Sequence, residues 1–145
     1  MNKPEIWKNS TGTIRVLPDR GRVLNIEIDD HGALWSPEPP PFAWCLGGER
    51  LWFGPESDWY WQKLGKPNFD DYKVPPALDP DLWTVAEARD GFCSGSFACE
   101  LRAAHREAFV KLRVTRSVEL VPADLHAPPA ISCLALRSHT ELEIL

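Results

Sequence analysis

The chain lacks any apolar stretch of the roughly 20 residues that a membrane-spanning helix requires. Its first residues, with Lys3, Glu5 and Lys8 among scattered apolar positions, also lack the apolar run of a secretory leader. A cytoplasmic location is expected. Positive charge is in short supply as well: 16 Lys and Arg against 21 Asp and Glu leave a net charge of −5. Phosphate backbones and anionic membranes are bound through clustered Lys and Arg, so neither nucleic acid nor membrane is an expected partner. The four cysteines, Cys45, Cys93, Cys99 and Cys133, form no paired CxxC knuckle of the kind that gives structural zinc its geometry. No metal site and no cofactor is expected. The cysteines read as reduced, mostly buried small residues, with Cys93 and Cys99 able to pair only if oxidised.

Catalytic signatures are missing too: there is no GxSxG, GxxxxGK[ST], HExxH or GxGxxG. The stretch Gly91-Phe92-Cys93-Ser94-Gly95-Ser96 has Cys and Ser but no His or carboxylate in a nucleophile-activating arrangement, which argues against a hydrolase. No internal repeat or low-complexity linker divides the chain. Its 145 residues suit one domain, residues 1–145, with one core.

Proline and tryptophan are what the chain has in excess. Nine of the fourteen prolines cluster at Pro37 to Pro41, Pro75 to Pro80 and Pro128–Pro129. Each lacks an amide donor and restricts its predecessor, so the chain is cut into short extended pieces. Thr13 to Leu17 and Arg22 to Ile28 are predicted strands joined by the turn Pro18-Asp19-Arg20-Gly21, the second with Leu24, Ile26 and Ile28 on one face. Asp29-Asp30-His31-Gly32 is the next turn, and Ala33, Leu34 and Trp35 resume an extended course. Glu107 to Val121 has the clearest alternation, with Ala108, Val110, Leu112, Val114, Val118 and Leu120 on one parity and Lys111, Arg113, Thr115, Ser117 and Glu119 on the other. Arg116 alone breaks the apolar face, which predicts a bulge, a bend or an edge where its guanidinium reaches solvent.

Phe92 to Arg102 is read as the antiparallel partner, through a turn at Ala103 to Arg106. A helix competes, because Phe97, Leu101, Ala104 and Ala108 also fall at helical spacing. Ile131 to Leu136 and Leu142 to Leu145 are expected to add two more strands, and open apolar edges predict a homodimer. The fold class that follows is all-β and antiparallel.

Trp44, Trp52, Trp59 and Trp61 crowd one window together with Gly47-Gly48-Glu49-Arg50 and Leu51-Trp52-Phe53-Gly54-Pro55-Glu56. Sugars present flat C–H faces that stack on indole rings and hydroxyls that need charged or amide partners, so this mixture suits a monosaccharide or sugar derivative. Trp59 and Trp61, in an extended piece, would place both indoles on one face. Asp70-Asp71-Tyr72 could meet a cation or sugar hydroxyls.

The order Leu17-Pro18-Asp19-Arg20-Gly21-Arg22-Val23-Leu24, then Ala33-Leu34-Trp35, then Gly47 to Glu56 resembles the opening of galactose mutarotase-like proteins, the superfamily that includes aldose 1-epimerases. The specific part is Gly47 to Glu56. The resemblance implies antiparallel sheets like the N-terminal half of a mutarotase-like β-supersandwich, with Arg50 and Glu56 at a sugar-facing rim. Arg50, Trp52, Glu56, Trp59 and Trp61 are therefore the candidate binding residues. The superfamily's acid–base pair is a His and a late Glu, and none of His31, His105, His126 or His139 lies in its motif context. The expectation is a carbohydrate-binding protein without complete epimerase machinery. The alternatives are an epimerase or other carbohydrate-active enzyme completed by self-association or another chain, and a structural β-module without ligand.

Overall fold

The computed structural model describes residues 3–41, 46–61, 63, 68–79, 82–103, 107–123 and 131–145. Two four-stranded antiparallel sheets make up the fold. In the first, β1 (Glu5–Lys8), β2 (Gly12–Leu17), β3 (Arg22–Ile28) and β4 (His31–Gly32) lie in sequence order, and in the second β5 (Thr84–Arg89), β6 (Phe92–Arg102), β7 (Phe109–Val121) and β8 (Ala135–Ile144) do the same. The all-β, antiparallel expectation holds. Asp29 and Asp30, both at positive φ, close the β3–β4 hairpin, and Ala33 continues it by donating to Ile26 O at 2.8 Å. The sole α-helical turn among the described residues is α1 (Glu56–Trp59), in the irregular segment that links the sheets.

The inward row of β7 explains how the parts meet. Leu112, Val114, Arg116 and Val118 are all buried, as the alternation requires. Val118 and Cys93 pack against Trp7, Ile14, Val16 and Val23 of the first sheet. Val114 and Phe97 pack instead against Tyr60, Leu78 and Trp83 of the linking segment. One sheet is thus covered at one end by its partner sheet and at the other by irregular chain rich in aromatics. Each fully buried aliphatic or aromatic side chain contributes about 1.5–3 kcal/mol relative to exposure.

Several local expectations need correction. Leu24 does not share a face with Ile26: the register passes from Arg15↔Asn25 to Val16↔Val23, leaving Leu24 as a bulged residue. Val23 and Ile26 therefore face the first core cluster, while Leu24 joins Leu17 and Leu46. Arg116 is neither at a bulge nor at an edge, since β6–β7–β8 pairing runs through it without a shift and its residue exposure is 4 %. In place of the two predicted C-terminal strands there is one, β8: residues 131–134 are not in a strand, and the polar run Arg137 to Glu141 pairs along β7 as regularly as Leu142 and Ile144 do. The strand reading wins over the helix at Phe92 to Arg102. Cys93 and Cys99 lie six residues apart on that strand, roughly 20 Å, which excludes a disulfide between them. The tip of the β6–β7 hairpin, the Pro128–Pro129 cluster, Trp44, Cys45, His105 and His126 lie outside the described residues.

Candidate functional site

The site is built on the glycine pair. Gly47 and Gly48 have φ of +71° and +72°, and a Cβ on Gly48 would stand 2.3 Å from Val23 O. Only glycine lets the chain pass this close to β3 in that conformation. Gly48 N donates to Trp35 O and Glu49 N to Val23 O, each at 2.7 Å, so the segment is pinned as a short bridge on β3. Glu49 is thereby aimed at β7, where Arg116 Nη2 donates to its Oε1 and Oε2 at 2.8 and 2.7 Å.

Arg50, the next residue, turns to the linking segment. Its Nη1 lies 3.1 Å from Asp79 Oδ2, an oxygen shared with Arg22 Nη2 at the same distance. Arg22 also donates to Gly47 O at 3.3 Å. Burial lowers the Arg22 pKa, and the Asp79 charge opposes that shift. Arg50 keeps 30 % of its side chain exposed, and its guanidinium carbon sits 4.0 Å from the Trp52 ring centroid. This is a cation–π contact at a solvent-facing position.

From Trp52 the chain of contacts runs outward. Its Nε1 donates to Glu56 Oε1 at 2.6 Å, and Tyr72 Oη donates to Glu56 Oε2 at 3.2 Å. Tyr60, fully buried, accepts from Phe53 N at 2.9 Å and lies 4.7 Å from the Trp52 ring. Burial pushes the Tyr60 phenol up to about 12. The Tyr72 phenol is raised further, by burial first and then by the charge and hydrogen bond of Glu56. Trp61 packs edge-on against Tyr72 at 4.9 Å and tilted against Phe69 at 5.5 Å, and Phe69 itself is 83 % exposed.

Arg50, Trp52 and Glu56 are thus brought together as the sequence suggests, although Arg50 pairs with Asp79 rather than Glu56. Trp59 and Trp61 are not side by side on an extended face, because Trp59 ends helix α1. Trp59 donates to Gly54 O at 3.3 Å and packs on the second core cluster, whereas Trp61 belongs to the Tyr72 group. Tyr72, Phe69, Asp79 and Arg22 complete the site and were not foreseen as members. Tyr72 left a trace as part of Asp70-Asp71-Tyr72, and Arg22 stands in the Leu17 to Leu24 stretch that carries the resemblance. Asp71 itself pairs with Lys63 at 2.8 Å. No group of three or more His, Cys, Asp and Glu side chains among the described residues is placed to hold a metal ion.

The arrangement is an open rim of aromatic rings around one carboxylate and one guanidinium. Cavities of about 380, 370 and 240 Å³ open elsewhere, beside Leu17, Leu24 and Leu46, beside Pro18, Asp19 and Val85, and beside Glu49, Arg116 and Ser138. Among the described residues, no helix is long and apolar enough to cross a membrane. Fold and site together define a two-sheet, antiparallel β-protein with a polar and aromatic rim on its linking segment. The family model described as "Family of unknown function (DUF6786)" matches residues 38–130, well over half of the sequence, and the chain belongs to that family. No curated protein and no solved structure matches it. The matched span contains the glycine pair, the whole rim, and strands β5 to β7.

Proposed function

We propose that the rim binds a monosaccharide or sugar derivative without transforming it. One observation carries this reading: Glu56 is held by Trp52 Nε1 and Tyr72 Oη beside an Arg50 that is itself stacked on Trp52. An exposed carboxylate has lone pairs left for sugar hydroxyls, Arg50 has donors left, and the Trp61 and Phe69 rings offer apolar faces. The resemblance to mutarotase-like proteins at Gly47 to Glu56 supports the same ligand class. None of the four histidines lies in the motif context where the resemblance would put a general acid, which favours binding over proton transfer.

Tryptophan fluorescence during titration with neutral aldoses and their phosphates tests the reading. A saturable change with one sugar, lost in Glu56→Gln and Trp52→Ala, is the expected result. A blue-shifted spectrum that responds to none of them overturns it. NMR of anomer exchange with the bound sugar should show only the uncatalysed rate.

A further inference from the structure

Strand β8 lies at the edge of the second sheet, its ten residues paired with β7 along the whole length. The other edges are blunted. β1 has four residues, β4 has two, and β5 is broken by a register shift between Val85 and Glu87. Long, regular edges are the ones that accept another strand. β8 also leaves Leu142 and Ile144 exposed at 56 % and 77 %, on the same face as the buried Val114 and Leu112 opposite them.

The sequence of β8 is complementary to itself when reversed. In a two-fold antiparallel pairing some residue must face its own copy. If that residue is Thr140, Arg137 faces Glu143 of the second copy and His139 faces Glu141 of the second copy. Both acidic residues then meet a base. Centring on His139 places Glu143 opposite Ala135, and centring on Glu141 puts that carboxylate against its own copy. The Thr140 register also extends a charge row already present. Arg113 pairs with Glu143 at 2.7 Å and Arg137 with Glu119 at 3.4 Å within the chain. Across the junction the outer face would alternate Arg113, Glu143, Arg137, Glu119 over four strands, the last two from the second copy. On the inner face, Ile144 would gain Leu136 of the second copy as its neighbour. Opposite charges and apolar pairs directly across strands both stabilise a sheet.

We propose that β8 is a homodimerisation edge, pairing antiparallel with β8 of a second copy about an axis through Thr140. The proposal is independent of what the rim binds. Cross-linking and charge exchange on the full chain test it. Thr140→Cys should give a disulfide-linked dimer under mild oxidation beyond anything the unsubstituted chain forms, while His139→Cys should not, because its copy faces Glu141. Sedimentation from micromolar to millimolar concentration should show dimer. Glu141→Lys should raise the dimer Kd about tenfold, since the Glu141–His139 contact between the copies is lost twice by symmetry. Adding His139→Glu should restore it. These two residues face the uncharged Thr115 and Ser117 on β7 and approach each other at 4.0 Å within the chain, a contact between opposite partners that the double exchange keeps. A monomer throughout, cross-linking at residue 139 instead of 140, or a Kd indifferent to Glu141→Lys would overturn the proposal.

Discussion

Arg116 and Glu49, 67 residues apart in sequence, are joined through both carboxylate oxygens where the two core clusters of the second sheet meet. The pair is asymmetric: the Arg116 side chain is 4 % exposed and that of Glu49 is 45 % exposed. Arg116 Nε and Nη1 are buried and find no partner among the described residues. Removing Glu49 would strand a buried charge, whereas removing Arg116 would free a half-solvated carboxylate. Glu49→Ala is expected to cost about 2 kcal/mol in urea unfolding, and Arg116→Leu, which continues the Val114 and Val118 row, less than about 1 kcal/mol. Equal losses would show that the pair acts through its mutual attraction and not through the desolvation of Arg116.

Gly48 is the hinge that delivers Glu49 to that contact. A Cβ there would meet Val23 O at 2.3 Å and Leu24 Cα at 2.7 Å, both backbone atoms of β3, on a residue with φ of +72°. Neither the strain nor the overlap can be relieved by a side-chain rotation. Gly48→Ala should destabilise the fold by roughly 3 kcal/mol, and Gly54→Ala, where a Cβ meets nothing within 4 Å, should be near neutral. Thermal unfolding of the two variants side by side checks the contrast.

Both tyrosines of the chain belong to the site, Tyr60 buried beside Trp52 and Tyr72 bonded to Glu56, so its alkaline titration can be read directly from phenolate absorbance. Their folded-state pKa values are raised above the ordinary 10.0, Tyr60 to about 12 and Tyr72 beyond that. A raised pKa means that the folded state holds the proton more tightly. The stability contributed is whole below pH 10.0 and is lost as pH climbs through about 12. Denaturant midpoints should therefore be flat to about pH 10 and fall above it. Glu56→Gln should lower the Tyr72 value more than the Tyr60 value, because Tyr72 feels both the charge and the hydrogen bond of Glu56. Equal shifts in the two would contradict the contact.

The strands were legible where alternation is long. β7 and β6 stand out because inward and outward residues differ in polarity over most of their length. β1 and β5 did not: β5 reads Thr-Val-Ala-Glu-Ala-Arg with every residue exposed, so its pattern carries no burial signal. The bulge at Leu24 was hidden because Leu24, Ile26 and Ile28 alternate with Asn25 and Glu27 as an unbroken strand would. Arg116 was visible as an exception but not its resolution, since the partner Glu49 is supplied by a distant loop. The same limit held at the rim. Arg50, Trp52 and Glu56 are close in sequence and were found together, whereas Asp79 and Tyr72 arrive through the path of the linking segment. Trp59 and Trp61 were misplaced because a single helical turn of four residues leaves no periodicity to detect.

Asp79 ties the buried frame to the open rim, and that makes it separable from a ligand contact. One oxygen, Oδ2, serves both Arg22 and Arg50, while Oδ1 is buried without a partner among the described residues. Arg22 is 3 % exposed in its side chain, so its charge depends on Asp79 for compensation, but Arg50 at 30 % does not. Asp79→Asn should therefore cost about 3 kcal/mol, mainly through Arg22, and should also loosen Arg50 from Trp52. Arg50→Met removes only the outer member and should cost less than about 1 kcal/mol while changing Trp52 emission to a similar extent. If the rim binds sugars, both substitutions weaken binding but only Asp79→Asn lowers the unfolding midpoint strongly. Measured together, equal destabilisation by the two would show that Arg50 belongs to the frame.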